Sequence, residues 1–263
     1  TAISALAGME DIHDAGKTMG LAPYGKPSQF LDFFREFAYS KRDGSHYIDS
    51  KLIYAILGNT LGPRYYGWKP QPKKIQSIWN EIMKIRGRPL KRPYEDVSVE
   101  DMNIAYAGQS ILEELVLGVT KKAKKLIGSN NLCLARGVAL NCLANEKIIR
   151  SNIFEKVYTF PGAGDHGQAI GKLFNHIHSL GIDLDTSTEV AYYGPIYTNE
   201  EINRAIKIYK ARIKLLSTGK ETVIKETVDR LNDNQVMGWF NGRSELGPRA
   251  LGSRCILANP ANQ

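Results

Sequence analysis

The spacing of apolar residues along the chain predicts an alternation of helices and short strands. The clearest signal is a set of apolar residues at three- and four-residue intervals, which predicts one face of a long amphipathic helix ending near residue 126. These residues are Ile104, Ala107, Ile111, Leu115, Val119 and Ala123. Ser98 and Asp101 have the spacing of a capping box, so we expect the helix to begin there. A short aliphatic run at 132–135 follows, and a helix leading into a strand is half of a βαβ unit.

Two strand–turn–helix units follow one another in the middle of the chain. The buried strand predicted at 132–135 breaks at Gly137, and apolar residues at helical spacing follow from Ala139 onward. A second strand at 157–160 ends in a Pro/Gly turn, and Asp165 stands where the next helix begins. Because open α/β sheets bind ligands at strand ends, we expect Asn141 and Asp165 to face one crevice that takes a nucleotide or phosphate. The alternative is that both turns are connections only, with Asp165 as a helix N-cap.

A loop rich in arginine and glycine follows the strand predicted at 236–240. Arg243, Arg249 and Arg254 are interspersed there with three glycines. Glycines allow the backbone to bend, and a guanidinium group can grip phosphate or carboxylate oxygens through two hydrogen bonds. We therefore expect an anion site in this loop. The alternative is a loop held by internal salt bridges.

The remaining segments give weaker signals. Residues 13–27 predict a helix end and a Gly/Pro turn, where Lys17 and Lys26 can meet phosphate. Proline and glycine interrupt residues 52–92, which indicates an inserted, surface-exposed segment, and residues 181–193 indicate a linker. Further helices are predicted at 30–37, 169–180, 198–209 and 220–233, and further strands at 47–49 and 213–216.

Composition places the chain among ordinary globular proteins. It has 263 residues, of which 43% are hydrophobic and 24% charged, with no apolar run of the ~18 residues that a membrane span needs and no signal peptide. Three cysteines without paired spacing argue against a disulfide framework or a zinc-thiolate cluster, and favour a reducing compartment. We therefore expect a cytoplasmic protein. His176 and His178 are two residues apart on a predicted helix, so they cannot chelate one metal ion.

The net charge of +8 changes this picture little. The basic residues crowd into two stretches, Lys69 to Arg92 and Lys121 to Lys125. The second stretch lies on a helix whose other face is apolar, which is typical of a solvated helix surface. The charge is compatible with phosphate-bearing substrates, and nucleic-acid binding through the first stretch is ranked last among the alternatives.

Five motifs occur together and in a fixed order. They are KTMGLAPYG at 17–25, LCLARGVALNC at 132–142, GDHG at 164–167, GPIY at 194–197 and GWFNGRSELGPRALGSRCIL at 238–257. The set closely resembles the ATP-dependent O-carbamoyltransferases, the group of the nodulation protein NodU and tobramycin carbamoyltransferase. The resemblance covers nearly the whole chain, and the last motif is its most distinctive part.

The resemblance implies an α/β enzyme of two parts. Residues 1–185 resemble the second half of an actin/Hsp70-like (ribonuclease H-like) ATPase-type domain, with an inserted segment at about 50–97, and residues 190–263 resemble the start of a YrdC-like α/β domain. In the family, the YrdC-like part joins carbamoyl phosphate and ATP into carbamoyladenylate. The first part transfers the carbamoyl group to a hydroxyl of a small-molecule acceptor, aided by a divalent metal such as iron. The chain would then be an internal portion of a longer enzyme or a reduced relative, and a homo-oligomer is left open.

The resemblance also implies roles for individual residues. Asp165 is similar to the family's metal-ligand aspartate and is expected to act in catalysis with Arg243 and Arg249. The residues expected to bind the nucleotide are Lys17, Gly25, Gly137, Val138, Asn141 and Arg254. Which arginine grips phosphate is left open at this point.

Three departures from the family pattern keep other functions open. The family's metal-binding histidine pair has no counterpart among the five histidines, Arg136 replaces the first glycine of a Gly-Gly-Val-Ala turn, and Cys255 replaces a common serine. One alternative is a sugar kinase or ATPase with the same actin-like core. The other is a non-catalytic nucleotide-binding module.

Overall fold

Helices and strands alternate in the computed structural model, which describes residues 2–9, 14–60, 72–90, 95–183, 191–209 and 219–261. The chain divides into two units. Unit 1 consists of residues 1–133 and 141–158, and unit 2 of residues 134–140 and 159–263. Both contain helices and strands, so the predicted mixed α/β class is confirmed. The domain boundary predicted near residues 185–190 differs from the boundaries between these two units, and it stays a prediction.

The described part of unit 1 is mainly helical. Its helices are α1 (Ala2–Leu6), α2 (Ala15–Leu21), α3 (Gln29–Phe37), α4 (Ser50–Thr60), α5 (Lys73–Arg86), α6 (Val99–Ile127) and α7 (Cys142–Arg150), with a 3₁₀ turn at Ala22–Tyr24. Strands β1 (Ala38–Ser40) and β2 (His46–Ile48) form an antiparallel hairpin in which Tyr39 lies opposite Tyr47. Strands β3 (Asn131–Leu134) and β4 (Lys156–Thr159) pair with each other, and the boundary between the units falls just before the last residue of each.

The core of unit 1 lies between α6 and the helices around it. Phe34, Ile56, Ile82 and Ile104 are almost completely buried. The apolar face predicted for α6 is confirmed over its first half, where Ala107 and Ile111 are also buried. Over the second half it is not, since Val119 is 46% exposed.

Parts of the segment predicted at 52–92 to be surface-exposed belong to this core, so the predicted exposure is wrong for the buried faces of α4 and α5. The insertion predicted at about 50–97 stays a prediction. Ile56 of α4 and Ile82 of α5 are fully buried. The prolines and glycines that suggested an irregular segment lie at the helix ends: Pro72 immediately precedes α5, and Gly87 ends it with φ +68°. Residues 61–71 and 91–94 lie outside the described ranges.

The predicted start of α6 is confirmed, and its capping-box residue Asp101 has a further partner that the sequence did not indicate. Asp101 N–H donates to Ser98 Oγ (3.2 Å), and Asp101 Oδ2 accepts from Ser98 N–H (2.9 Å), which completes the capping box. The other oxygen, Asp101 Oδ1, accepts from Arg86 Nη2 at 2.5 Å, and both side chains are buried. Arg86 Nη1 also donates to the Leu6 carbonyl (3.2 Å). The Asp101 carboxylate therefore connects the start of α6 to the buried Arg86, and Arg86 in turn contacts α1.

In its described residues, unit 2 combines helices with an antiparallel hairpin. Its helices are α8 (Gln168–Ser179), α9 (Asn199–Ile208) and α10 (Lys220–Asn232), its strands are β5 (Met237–Phe240) and β6 (Arg254–Leu257), and 3₁₀ turns occur at Gly137–Leu140 and Asp165–Gly167. In the hairpin, Trp239 lies opposite Cys255. These helices and β5 match their predictions to within two residues. The strand predicted at 213–216 lies outside the described ranges.

Burial differs from the prediction around β3. The strand predicted to be buried has alternating exposed and half-buried residues, from Asn131 to Leu134.

Among the residues described, none of the helices combines the length and the apolar character that crossing a membrane requires.

Candidate functional site

Unit 2 brings together three of the segments that the sequence singled out. We call residues 136–140 the first turn, residues 161–167 the second turn and residues 241–254 the arginine loop. Arg136 N–H of the first turn donates to the Ala163 carbonyl of the second turn (2.8 Å). Gly247 of the arginine loop approaches the second turn so closely that an added Cβ would lie 2.4 Å from the Pro161 oxygen. The second turn therefore contacts both other segments.

The first turn is a 3₁₀ turn and exposes the glycine predicted to bind a nucleotide. Gly137 and Val138 are exposed, whereas Ala139 is buried. Arg136 precedes them with φ +74°, in the left-handed region that favours glycine. A non-glycine residue there costs roughly 1–2 kcal/mol. Arg136 is itself exposed.

Asn141 has a structural role in unit 1. Its Oδ1 accepts from Ala144 N–H (2.9 Å) and so caps α7. The amide also pairs with Gln109 of α6 in both directions, at 2.8 and 3.0 Å. Because Asn141 belongs to unit 1 and Asp165 to unit 2, the single crevice predicted for the two residues stays a prediction.

Asp165 opens the 3₁₀ turn that ends the second turn. It is exposed, and its Oδ1 accepts from Gln168 Nε2 (2.8 Å). The residue at the N-cap of α8 is Gly167, so the alternative interpretation of Asp165 as that helix's cap is wrong. In the described ranges, no three His, Cys, Asp or Glu side chains come together in a way that could hold a metal ion. The described donors therefore do not complete a metal site around Asp165.

Glu245 organises the arginine loop. Its Oε1 accepts from the N–H groups of Leu251 (2.5 Å) and Ser253 (2.9 Å), and its Oε2 accepts from Arg254 N–H (3.0 Å). These bonds, that from Ser253 foremost, hold the pKa of the Glu245 carboxyl below its ordinary value, because they stabilise the charged form. Sequence reasoning missed this residue. The available signal was an acidic residue inside a glycine-bent loop, where backbone N–H groups need an acceptor.

The three arginines of the loop differ in their hydrogen-bond partners. Arg254 donates from Nη1 to the Asn241 carbonyl (3.1 Å) and from Nη2 to the Gly242 carbonyl (3.1 Å), and its guanidinium carbon lies 3.2 Å from the centre of the Phe240 ring. The Arg254 guanidinium therefore stabilises the conformation of the loop. Arg243 Nη1 donates to the Gly194 carbonyl (2.9 Å).

Arg249 is different, because its Nε atom is buried without a hydrogen-bond partner among the described residues. A buried donor left unpaired costs roughly 1–3 kcal/mol. Within the described part of the chain, Arg243, Arg249 and Arg254 form no ion pair with an acidic side chain, so a loop held by salt bridges is not what the structure has.

A cavity of about 390 Å³ lies beside the arginine loop. It is lined by residues 241–243 and 251–253 of the loop, together with Tyr192 and Ile196. The Tyr192 hydroxyl donates to the Leu251 carbonyl (3.0 Å), and Gly194 N–H donates to the Ser244 carbonyl (2.9 Å). The GPIY motif therefore packs directly on the loop, and Arg243 contributes a cation to the wall of the cavity.

The first motif lies in unit 1. Lys17 forms an ion pair with Asp14 (2.8 Å). Gly25 packs against α6, and an added Cβ would lie 2.1 Å from the Met102 oxygen. Close packing thus accounts for the glycine at position 25. Nucleotide binding by Lys17 and Gly25 stays a prediction.

Comparison with known families identifies the class. Residues 1–173 match the family model described as "Carbamoyltransferase N-terminus", and residues 228–263 match the one described as "Carbamoyltransferase C-terminus". The chain belongs to the carbamoyltransferase family, as its motifs predicted.

Individual relatives agree with this assignment. The nodulation protein NolNO of Sinorhizobium fredii is 32% identical over 249 residues, which cover 94% of this chain and 32% of the relative. The nodulation protein NolO of Bradyrhizobium diazoefficiens is 30% identical over 249 residues, covering 94% and 40%. An uncharacterized protein of Synechocystis sp. is 32% identical over 252 residues, covering 94% and 38%. The chain thus spans about a third to two fifths of the length of these relatives.

Proposed function

We propose that the protein transfers a carbamoyl group from carbamoyl phosphate, through carbamoyladenylate made with ATP, to a hydroxyl group of a small-molecule acceptor. Membership of the carbamoyltransferase family supports the reaction class. The observation that carries the proposal furthest is the packing of Gly247 in the arginine loop on Pro161 in the second turn. The most distinctive motif and the motif that contains Asp165 therefore meet within one unit.

The chemistry needs the groups that this part of unit 2 provides. When the acceptor oxygen bonds to the carbamoyl carbon, the hydroxyl proton passes to solvent, the bond from that carbon to the adenylate oxygen breaks, and AMP leaves with the electron pair. Negative charge then develops on carbonyl and phosphate oxygens, and fixed cations and N–H groups stabilise it. Arg249 fits this role best, because its buried Nε lacks a partner that a ligand oxygen would supply. Arg243 is the second candidate, since it lines the cavity.

The nucleotide is proposed to bind at the first turn, which exposes Gly137 and Val138. Arg254 is proposed to act indirectly by shaping the loop, because three backbone carbonyls already hold its guanidinium. The actin-like and YrdC-like assignments belong to this proposal as well, with a boundary near residues 185–190. Asp165 would be one ligand of the divalent metal that the family resemblance implies, iron or a similar ion, and the described donors do not complete a site for it.

The experiment is a turnover assay on the intact protein with carbamoyl phosphate, ATP and a set of hydroxyl-bearing acceptors. We expect AMP, pyrophosphate and a carbamoylated product. Arg249→Gln should lower the rate by about 10²-fold or more if its guanidinium stabilises developing charge. The matched control is Arg204→Gln, because Arg204 is an exposed arginine on α9.

Each alternative function predicts a different product. A sugar kinase or ATPase would release ADP without requiring carbamoyl phosphate. A non-catalytic module would bind ATP in calorimetry and release neither AMP nor pyrophosphate. Either result would contradict the proposal.

A further inference from the structure

A basic groove lies in unit 1 and shares no lining residue with the segments proposed for catalysis. The turn of the β1–β2 hairpin packs on α6 at two glycines. A Cβ added at Gly44 would lie 2.6 Å from the Gly118 oxygen, and one added at Gly118 would lie 2.0 Å from Ser40 Oγ. Since no side chain fits between the two elements at these points, the turn is held close to the helix. The groove along this junction has a volume of about 490 Å³.

Cations outnumber anions along the groove. It is lined by the six basic residues Arg35, Lys41, Arg42, Lys121, Lys122 and Lys125, and by the two acidic residues Asp43 and Glu114.

Both acidic residues are already paired within the protein. Asp43 Oδ2 accepts from Lys122 Nζ (3.1 Å), and Glu114 pairs with Arg35. Asp43 Oδ1 also accepts from Ser45 Oγ (2.6 Å), and its bonds to Ser45 and Lys122 hold the pKa of this carboxyl well below its ordinary value. The two acidic side chains therefore pair with Lys122 and Arg35, and they form no ion pair with the other four basic residues of the groove.

Four of the basic side chains that line the groove have no acidic partner among the described residues. Among the described residues, Lys41, Arg42, Lys121 and Lys125 form no ion pair. Lys121 and Lys125 are four residues apart on α6, so they lie on one face and repel each other. The other two lie in the turn between β1 and β2, which also lines the groove. An anion placed between the two pairs would relieve the repulsion on both sides.

The groove also has an aromatic wall. Tyr39 lines it and is 41% exposed. The Tyr39 ring packs against Tyr47, with ring centres 5.2 Å apart, so its orientation is fixed from one side. A planar or apolar group next to an anion can stack on such a ring.

We propose that this groove binds a small organic polyphosphate, with its phosphates between the hairpin turn and α6 and its organic part against Tyr39. The volume lies within the range of small-molecule sites, roughly 300–1,000 Å³. The unpaired cations surround one cavity on two facing elements, which suits a compact ligand better than a long strand of nucleic acid. The groove shares no residue with the arginine loop, so this proposal does not depend on the proposed transferase reaction.

The first experiment is calorimetric titration of the intact protein with inorganic tripolyphosphate. We compare the wild type with Lys121→Gln/Lys125→Gln, and with the charge-matched control Lys207→Gln/Lys225→Gln, whose lysines are exposed on α9 and α10. Because charge-assisted hydrogen bonds to phosphate would be lost, the groove variant should bind about tenfold or more weakly. The control should match the wild type. No binding, or equal binding by wild type and groove variant, overturns the proposal.

The second experiment tests the ligand class with the same proteins. Tyr39→Ala should weaken ATP binding at the groove and leave tripolyphosphate binding unchanged, whereas Arg249→Gln should leave tripolyphosphate binding at the groove unchanged. A deoxythymidine 12-mer should bind no more tightly than a dinucleotide. Affinity that rises steeply with oligonucleotide length and is lost in Lys121→Gln/Lys125→Gln would assign the groove to nucleic acid and contradict the proposal of a small ligand.

Discussion

The two units reach their structures by different means. In unit 1, large apolar side chains such as Phe34, Ile56 and Ile82 are buried together. In unit 2, Phe240 is 66% and Ile256 is 81% exposed, and the arginine loop is ordered by hydrogen bonds to Glu245. Apolar burial therefore dominates one unit, and polar contacts with close glycine packing dominate the other. The same kind of substitution should accordingly have different effects in the two units.

The largest effect is expected where a polar pair lies inside the apolar unit. Asp101→Ala leaves the Arg86 guanidinium buried without its carboxylate and removes the capping box, so the free energy of unfolding should fall by about 3–5 kcal/mol. Urea unfolding of the intact protein measures it. Glu81→Ala breaks the exposed pair with Lys84 and should cost less than about 1 kcal/mol. Equal costs for the two variants would mean that burial of the pair has no consequence.

Truncation of isoleucine tests the comparison directly. Ile56→Ala removes a fully buried side chain and should cost about 2–5 kcal/mol. Ile256→Ala removes a side chain that is 81% exposed and should change the free energy of unfolding by no more than about 0.5 kcal/mol. Both are measured by urea unfolding. A cost at position 256 as large as that at position 56 would show that Ile256 is covered in solution.

Acidification should open the arginine loop. The pKa of Glu245 lies below its ordinary value in the folded protein, so its stabilising contribution is complete above the ordinary pKa and is lost as the pH falls through the folded-state pKa. The carboxyl carbon of Glu245 in an NMR titration should therefore have a midpoint below that of an unperturbed glutamate. The amides of Ser253 and Arg254 should shift with the same midpoint.

Glu245→Gln provides the control for this titration. The Ser253 and Arg254 amides should then lose their common acid transition, because position 245 no longer carries a titrating group. An unchanged transition in the variant would assign it to another residue and remove Glu245 from the account of the loop.

The smallest expected effect is a gain of stability in the first turn. Arg136 has φ +74°, and Arg136→Gly relieves the left-handed conformation at the cost of backbone entropy, so a net gain of about 0.5–1 kcal/mol is expected. Asn152→Gly is the matched control at φ +53°, where asparagine is already tolerated, and should change little. Thermal unfolding measures both variants. A loss of stability in Arg136→Gly would show that the Arg136 side chain makes a stabilising contact.

The sequence predicted elements best where the signal was local. The capping box of Ser98 and Asp101 placed the start of α6 correctly, because all its contacts lie within one helical turn. The pairing of Asp101 with Arg86 was not predictable in the same way, since a helix end and a turn at Gly87 separate the two residues. Proline and glycine at helix ends also made the core helices α4 and α5 resemble an exposed insertion.

The candidate site was predicted at the level of segments and not of individual side chains. Glycine-bent turns and an arginine loop were visible as motifs, and the structure brings three of them together in unit 2. The distinct states of Arg249 and Arg254 depend on which backbone carbonyls lie nearby, and no sequence spacing reveals that. Glu245 was missed for the same reason, because its partners are backbone amides.

The central claim is that the first turn, the second turn and the arginine loop form one ligand site. Hydrogen exchange of the intact protein, measured with and without ATP and carbamoyl phosphate, tests it directly. We predict slower exchange on ligand addition in residues 136–140, 161–167 and 241–254 together, with no change in the core part of α6 around Ile104. Protection confined to one of the three segments, or absent from all of them, would contradict the claim.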